Sequence, residues 1–557
     1  MKRTEFKRKS MLILLLLLML QVIAAFCFCG QKTGYHYDEY YSYYSSNVTF
    51  GLGPWDQDWK TGEDIFNEFA VLPGEQFQFA KVVEMQSYDV HPPVYYLFLH
   101  VICSLIPGVF TKWAGLALNL LFFAASWFLI AWLAWHIGGK RIETVFAASL
   151  LYGFNPAVIS GIMLVRMYTM LGFWILLITC LHVYALEKRK RCWKFYLLLM
   201  LMIIAGFLTH YYFAVYLFFL AAAMECYLLF EKGEGKKLAA RLKDCFAYGF
   251  AAVGAMLISV ALYPASASHI FRGYRGTEAM GAFFDLSNTA GRISFFAGLL
   301  NEYAFGSMLP IFILIVLLLG LTYGTVMRYR GQRISRMEVS NFLESQRVRL
   351  ITATAAVGYF AVVTKTALLT AEEANRYQIP VYGLLLLLSA ALFVVLAEKV
   401  GGLLLKKENK NGRKVWKILT AGMILLLGAG QIIGLCAGKV LFLYQDDAEV
   451  ISWAQENADT TVIYLFSENQ KWMTWDDSLE LMQYEDLYFV SLSDEASLTR
   501  ECFADERIAQ AERLLVYCMR HDNSQTALDI LLESCENLNH CEKIRELLYC
   551  DLYELTP

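Results

Sequence analysis

Residues 11–40 read MLILLLLLMLQVIAAFCFCGQKTGYHYDEY, and the rest of the chain is read outward from them. Met11–Cys29 is an apolar run of the length a membrane-crossing helix needs, and the basic segment MKRTEFKRK precedes it. A basic start and an apolar core also describe a secretion signal. No A-x-A-like cleavage site follows, however, and neither Cys27 nor Cys29 has before it the small residue of a lipoprotein site. The run is therefore read as an uncleaved first span with a cytoplasmic N-terminus. Just beyond it, Tyr35-His36-Tyr37-Asp38-Glu39-Tyr40 sets two carboxylates among aromatic rings.

Further runs of spanning length are Trp113–His136, Glu143–Ile162, Thr169–Leu186, Phe213–Phe230, Cys245–Pro264, Ser307–Met327, Leu350–Leu369, Gln378–Ala397 and Trp416–Leu441, with the shorter Lys194–Leu208 supported by its flanks. Val94–Ile106 has only 13 residues and reads as a helix lying along the outer surface. Loop charge supports that choice. With about eleven spans, the basic loops at Lys140-Arg141, Glu187–Lys194, Glu231–Lys243, Arg328–Arg349 and Glu398–Lys417 all fall inside. Together with the N-terminus they hold 30 of the 48 Lys and Arg residues. Counting Val94–Ile106 as a span would turn the five loops outward. The expected fold is thus mainly α, a polytopic transmembrane bundle occupying 1–442, with surface helices in an outer loop at 31–112.

Composition agrees. Of 557 residues, 57% are apolar and 18% charged, and the mean hydropathy is +0.43. A soluble globular chain is nearer 45–50% apolar and about 25% charged. Disordered proteins and secreted disulfide scaffolds are excluded, and a water-soluble enzyme is disfavoured. The net charge of −3 conceals an asymmetry: 443–557 carries 25 acids against 7 bases, and 31–92 carries 10 against 3. The basic residues sit in short loops and form no nucleic-acid patch. An odd number of spans places the acidic segment 443–557 outside the cell membrane. There, Thr461–Phe466, Asp486–Leu492, Arg513–Met519 and Glu546–Leu555 read as strands. Ser524–Glu536 reads as a helix with Ser524 at its N-cap. A small extracytoplasmic α/β domain is expected. Five of the 13 cysteines lie in it, an odd number that cannot all pair, and buried thiols are the plainer reading.

Several polar residues fall at the outer membrane edge under this topology. Asp38 can act as a general base toward an acceptor hydroxyl or ligate a metal, and an acidic pair in a solvated loop is the bland alternative. His91, in Asp89-Val90-His91-Pro92-Pro93-Val94-Tyr95-Tyr96, can donate to a phosphate or a sugar hydroxyl, or simply satisfy its loop. Arg166, in Arg166-Met167-Tyr168, can grip a phosphate or snorkel to the interface. His210 sits in Thr209-His210-Tyr211-Tyr212, where an aromatic belt alone explains the tyrosines. Lys365 lies one turn inside the ninth span, and Arg376-Tyr377 follows that span. Carboxylates and cations at one face suit a hydroxyl nucleophile and a phosphate leaving group.

The ordered set Tyr37-Asp38-Glu39, His91-Pro92-Pro93-Val94-Tyr95-Tyr96, Arg166-Met167-Tyr168, Thr209-His210-Tyr211 and Arg376-Tyr377-Gln378-Ile379-Pro380 resembles the GT-C glycosyltransferase superfamily. The bacterial relatives in question are those of protein O-mannosyltransferases and of the lipid A aminoarabinose transferase. The resemblance covers roughly 1–397. It implies a polyprenyl-phosphate sugar donor, a glycan, lipid or protein acceptor, and inverting transfer among membrane lipids of the cell envelope. It implies Asp38 as catalytic base, with Glu39 supporting it or helping to bind acceptor or metal, and Arg376 near the donor phosphate. His91, Arg166, Tyr168, His210 and Tyr377 match motif positions, while Lys365 joins the set on depth and charge alone. A divalent metal is compatible with this pattern and none is required by it. Leu164-Val165 stands where many relatives place an acidic residue before the Arg, so this chain offers no carboxylate there. Two other classes remain open: a transporter or lipid flippase, and a membrane-anchored cell-envelope binding protein.

Overall fold

The computed structural model describes residues 8–47, 53–189, 191–231, 237–329, 336–405 and 410–557. The basic N-terminus and parts of the basic loops 231–243, 328–349 and 398–417 lie outside the described residues. Two compact units emerge: one is built from Met1–Gly30, Gln86–Tyr95 and Gly115–Phe442, the other from Gln31–Met85, Tyr96–Ala114 and Leu443–Pro557.

The first unit is a helical bundle. Among the described residues, nine helices are long and apolar enough to cross a membrane. In chain order the helices up to the outer-loop end are α1 (Arg8–Gln31), α2 (Tyr37–Asn47), α3 (Gly62–Asn67), α4 (Phe79–Tyr88) and α5 (Val94–Ser104). Then come α6 (Lys112–Ile137), α7 (Ile142–Gly153), α8 (Pro156–Met163), α9 (Tyr168–Lys188), α10 (Trp193–Phe207), α11 (Tyr212–Phe230) and α12 (Leu238–Leu262). The series ends with α13 (Ala265–Phe271), α14 (Tyr274–Phe284), α15 (Thr289–Leu299), α16 (Leu309–Tyr329), α17 (Arg336–Thr366), α18 (Ile379–Leu404) and α19 (Lys410–Cys436). The run 143–162 is bent by 48° between α7 and α8. Asn155 causes the break: its Oδ1 accepts from the backbone N–H of Ala157 and Val158, and Pro156 opens α8. With this bent pair and the 15-residue α10, the count of about eleven spans stands. The short helices α13, α14 and α15 between α12 and α16 have no counterpart in the sequence reading.

Helix α18 is the centre. Of its best spanning window 72% is buried, against 6% for α16 at the periphery. It packs on α7, α9, α16 and α17. The one polar residue inside the first span, Gln21, is fully satisfied: its Nε2 donates to Ser149 O and its Oε1 accepts from Trp127. A Cβ at Gly153 would collide with that amide, so the glycine is what lets α1 approach α7.

The second unit holds a six-stranded sheet in the order β1-β3-β2-β4-β6-β5. The strands are β1 (Asp58–Lys60), β2 (Val462–Phe466), β3 (Leu487–Ser491), β4 (Leu514–Met519), β5 (His540–Glu546) and β6 (Cys550–Thr556). Parallel β3-β2-β4 are apolar but for Ser491 and wholly buried, as strands covered on both faces must be. The stretch read as one strand over 546–555 is instead the β5-β6 hairpin, with Leu547 N bonded to Cys550 O across its turn. The expected helix is present at Ser524–Ser534, but Asn523 holds the N-cap position. Ser524 donates to Met519 O and accepts from His521 N, tying the preceding turn. The outer loop, assigned from sequence to the transmembrane domain, groups here with the tail. Strand β1 pairs with β3, Trp59 stacks on Tyr488 at 4.7 Å, and Trp59 Nε1 donates to Asp505. No disulfide joins any of the cysteines among the described residues, and Cys502, Cys518 and Cys550 are buried.

Candidate active site

Four chain breaks of the bundle unit carry the polar residues singled out from sequence. Asp89–Pro93 precedes α5, Arg166-Met167 joins α8 to α9, Thr209–Tyr211 joins α10 to α11, and the 3-10 turn Ala371–Tyr377 joins α17 to α18. Each is pinned by backbone contacts. Asn119 Nδ2 donates to the carbonyls of Ile162 and Leu164, fixing the turn that presents Arg166. Val94 N donates to Leu208 O, tying the start of α5 to the His210 turn.

These turns bring Asp89, His91, Arg166, Tyr168, His210, Arg376 and Tyr377 into one connected cluster. His91 Nδ1 lies 3.0 Å from Asp89 Oδ2 and 3.5 Å from Arg166 Nη2. The His91 and His210 rings are 6.1 Å apart, and Tyr168 is 5.5 Å from His210 and 5.6 Å from Tyr377. Arg376 stacks over the Tyr377 ring at 5.2 Å and lies 3.9 Å from Glu373. Arg166 and Arg376 are only 2% and 1% exposed, so both are held rigid at the junctions.

Electrostatics give the cluster its character. Burial pushes the Asp89 carboxyl up, but His91 and Arg166 beside it more than offset this and hold it below the usual carboxylate range. Burial, reinforced by His91 and Arg166, pushes His210 well below the ordinary imidazole value. His210 is therefore neutral. Its Nδ1 accepts from Tyr212 N, so the ring proton is on Nε2, ready to donate. Two guanidiniums, a neutral imidazole donor and tyrosine hydroxyls form a set that suits an oxyanion such as phosphate.

Lys365 is not part of this cluster. Its Nζ donates to Asp285 O, Asn288 Oδ1 and Thr289 Oγ1, which uses all three of its protons and fastens the loop between α14 and α15. Arg292 has a similar duty, capping α17 through the carbonyls of Thr364 and Ala367. Sequence reasoning missed Asp89, although the Asp-x-His spacing offered the signal. It also missed His269, whose Nδ1 accepts from Tyr211 at 2.9 Å and whose Nε2 donates to Ser87 O.

Asp38 and Glu39 belong to the other unit. There they open α2, and their fates diverge. Glu39 is fully buried: its carboxylate accepts from His36 N at 2.7 Å and pairs with Lys32 Nζ at 2.9 Å, Lys32 being equally buried. That is a helix-start lock, with the third residue of the helix reaching back to the residue before it. Asp38 keeps 17% exposure, and its backbone N–H donates to His36 Nδ1. Half-exposed Tyr37 and Tyr41, on the same helix, each lie 6.2 Å from Trp472. Among the described residues no group of three or more His, Cys, Asp or Glu side chains converges as metal ligands.

No protein-family model and no curated protein matches the chain. The chain is similar to ArnT. The solved structure is that from Cupriavidus metallidurans bound to undecaprenyl phosphate, with a TM-score of 0.49 and 10% identity over 97% of each chain. It is also similar to the oligosaccharyltransferase AglB from Archaeoglobus fulgidus, in complex with an inhibitory peptide and a dolichol-phosphate. There the TM-score is 0.41 and the identity 10%, over 93% of this chain and 71% of that one. Likenesses this distant decide nothing about chemistry, which the residues themselves must carry.

Proposed function

We propose that this multi-pass membrane protein is a GT-C-type glycosyltransferase that moves a sugar from a polyprenyl-phosphate donor to an acceptor hydroxyl or similar nucleophile at the outer face of the cell membrane. The observation that carries the reading is the gathering of Arg166, Arg376, His91, His210, Tyr168 and Tyr377 from four separate helix junctions. Polar groups drawn together from so many spans mark a substrate site rather than random interface anchors. The N-terminus is cytoplasmic and the β-sheet unit extracytoplasmic in this reading, as the loop charges favour.

In the reaction, Asp38 takes the acceptor's proton as its oxygen attacks the anomeric carbon. The bond from that carbon to the donor phosphate breaks on the opposite side, which inverts the configuration. The phosphate leaves as polyprenyl phosphate, with Arg166 and Arg376 offsetting the charge that develops on it. Of the acidic pair, Asp38 fits the base because Glu39 is committed to Lys32. No step requires a metal. Hexose or pentose donors fit equally, and the acceptor is a glycan, a lipid or a protein.

The test is sugar transfer from radiolabelled polyprenyl-phosphate sugars by the purified full-length protein, wild type beside Asp38→Asn, against a panel of acceptors. Transfer by the wild type that vanishes in the variant, with donor binding intact, supports the reading. Equal transfer by both would remove Asp38 from the chemistry. Vectorial movement of the lipid across vesicles without transfer would favour the flippase alternative.

A further inference from the structure

The other end of the bundle carries a feature that transfer chemistry does not use. Helix α18 begins beside Tyr377, and Glu398 lies about 29 Å further along its axis. There the structure has a cavity of about 950 Å3. Its walls are apolar, contributed by Ile13 and Leu17 of α1, Phe146 and Leu150 of α7, Val394 of α18 and Ile424 of α19. Its rim is basic: Arg141, Lys399, Arg413 and Lys417, against Glu143 and Glu398. Glu398 is already engaged by Arg141 at 2.5 Å. A fifth cation stands just behind the rim. A Cβ at Gly139 would meet Arg141 Nη1 at 2.6 Å and Arg349 Nη2 at 3.7 Å, so two guanidiniums crowd the same glycine.

The preference for basic loops on one side of a membrane explains why cations occur at this end. It does not explain why four of them, from three different helices or their caps, ring the mouth of one apolar cavity. Glu143 and Glu398 answer part of this charge, and the rim keeps an excess of cations that an anion would relieve. The walls, in turn, are wrong for a free anion and right for a hydrocarbon chain. We propose that this cavity seats one anionic phospholipid, its phosphate among Arg141, Lys399, Arg413 and Lys417 and its acyl chain along the apolar walls. A basic pocket between spanning helices is a recurrent form of phosphate-headgroup recognition. The site is separate from the Arg166–Arg376 cluster, and its occupancy is independent of whether the protein transfers sugar.

The experiment is native mass spectrometry of the delipidated full-length protein titrated with dioleoylphosphatidylglycerol or dioleoylphosphatidylcholine, with excess inorganic phosphate as competitor. Two variants probe the two halves of the site. Arg413→Gln with Lys417→Gln removes two exposed rim charges. Gly402→Leu fills the cavity, since a Cβ there meets nothing within 4 Å. The expected result is selective phosphatidylglycerol binding, weakened roughly thirtyfold by the double charge variant and also weakened by Gly402→Leu, with phosphate failing to displace it. Equal binding of the two lipids, or binding untouched by both variants, overturns the proposal. Displacement by inorganic phosphate overturns it too, leaving a simple anion site.

Discussion

At the candidate site of the bundle unit the fully buried charges are cations. Arg166 and Arg376 sit among rings and histidines, with Asp89 and Glu373 as the carboxylates at their side. In the outer-loop and tail unit the buried charges among the described residues, Lys32 apart, are carboxylates. Burial raises Glu68 to about 7, Asp477 to about 7 and Asp447 to about 6. In the proposed reaction the first arrangement takes its anion from outside, as a phosphate-bearing donor would supply it. The second completes itself by taking up protons near neutral pH. The Lys32–Glu39 pair in the tail unit balances charge internally, as Arg545 does for the buried Glu480, and it does so one residue away from Asp38. The proposed reaction thus uses the two kinds of charge differently: cations hold the leaving group, and a carboxylate receives the proton.

The largest expected effect separates those two roles. Asp38→Asn should lower transfer about 10²–10⁴-fold, the range for losing a general base, while leaving donor binding intact. Arg376→Met should instead abolish donor binding, read by retention of a labelled polyprenyl phosphate. If both substitutions abolish donor binding, the division of labour is wrong.

Next in size is the cost of breaking the helix-start lock. Glu39→Gln strands Lys32 without its charge partner in a dry interior, at about 3–5 kcal/mol. Thermal unfolding of the detergent-solubilised protein should show a clear loss of stability, whereas Asp38→Asn should unfold nearly as the wild type does. A stable Glu39→Gln protein that has lost transfer would move the catalytic role to Glu39.

A smaller effect follows from the raised carboxylates. Between about pH 4 and pH 7 the folded tail unit binds more protons at Glu68 and Asp477 than the unfolded chain does, so stability falls as pH rises through that window. Each fully shifted group contributes a slope on the order of 1.4 kcal/mol per pH unit. Unfolding monitored by tryptophan fluorescence should give a lower midpoint at pH 8 than at pH 5, and Asp477→Asn should flatten the difference. A profile that rises with pH would mean that these carboxylates are ionised and paired.

How much of this was legible beforehand follows from the physics of each feature. Spans are announced by length and apolarity alone, so α6, α9, α11 and α18 could be read directly. The break between α7 and α8 was hidden inside an unbroken apolar run, although Asn155-Pro156 is a capping signal. Helices α13 to α15 were missed because they are short and mix polar with apolar residues at no spanning length. The β5-β6 turn has no glycine or proline at Leu547–Tyr549 to mark it, and so it read as continuous strand. Candidate residues near helix junctions could be picked out because the expected topology sorts them to one face. What each one touches across the bundle is a long-range property: nothing local in the sequence says that Arg166 meets His91, or that Tyr168 meets Tyr377.

Lys365 gives the smallest effect and the sharpest check on that last point. Depth and charge grouped it with the residues expected to bind phosphate, yet its three protons go to Asp285 O, Asn288 and Thr289. A lysine whose donors are all engaged by a loop has none left for a donor phosphate unless that loop moves. Asp285 is exposed, so losing these bonds should loosen only the local turn, at about 1 kcal/mol. Lys365→Met should therefore shift unfolding slightly and leave donor affinity unchanged, in contrast with Arg376→Met. Measuring both variants with the same labelled polyprenyl phosphate makes the comparison decisive. If Lys365→Met loses donor binding as Arg376→Met does, the lysine releases its loop to meet the phosphate, and the cationic set of the bundle extends from the helix junctions to the end of α17.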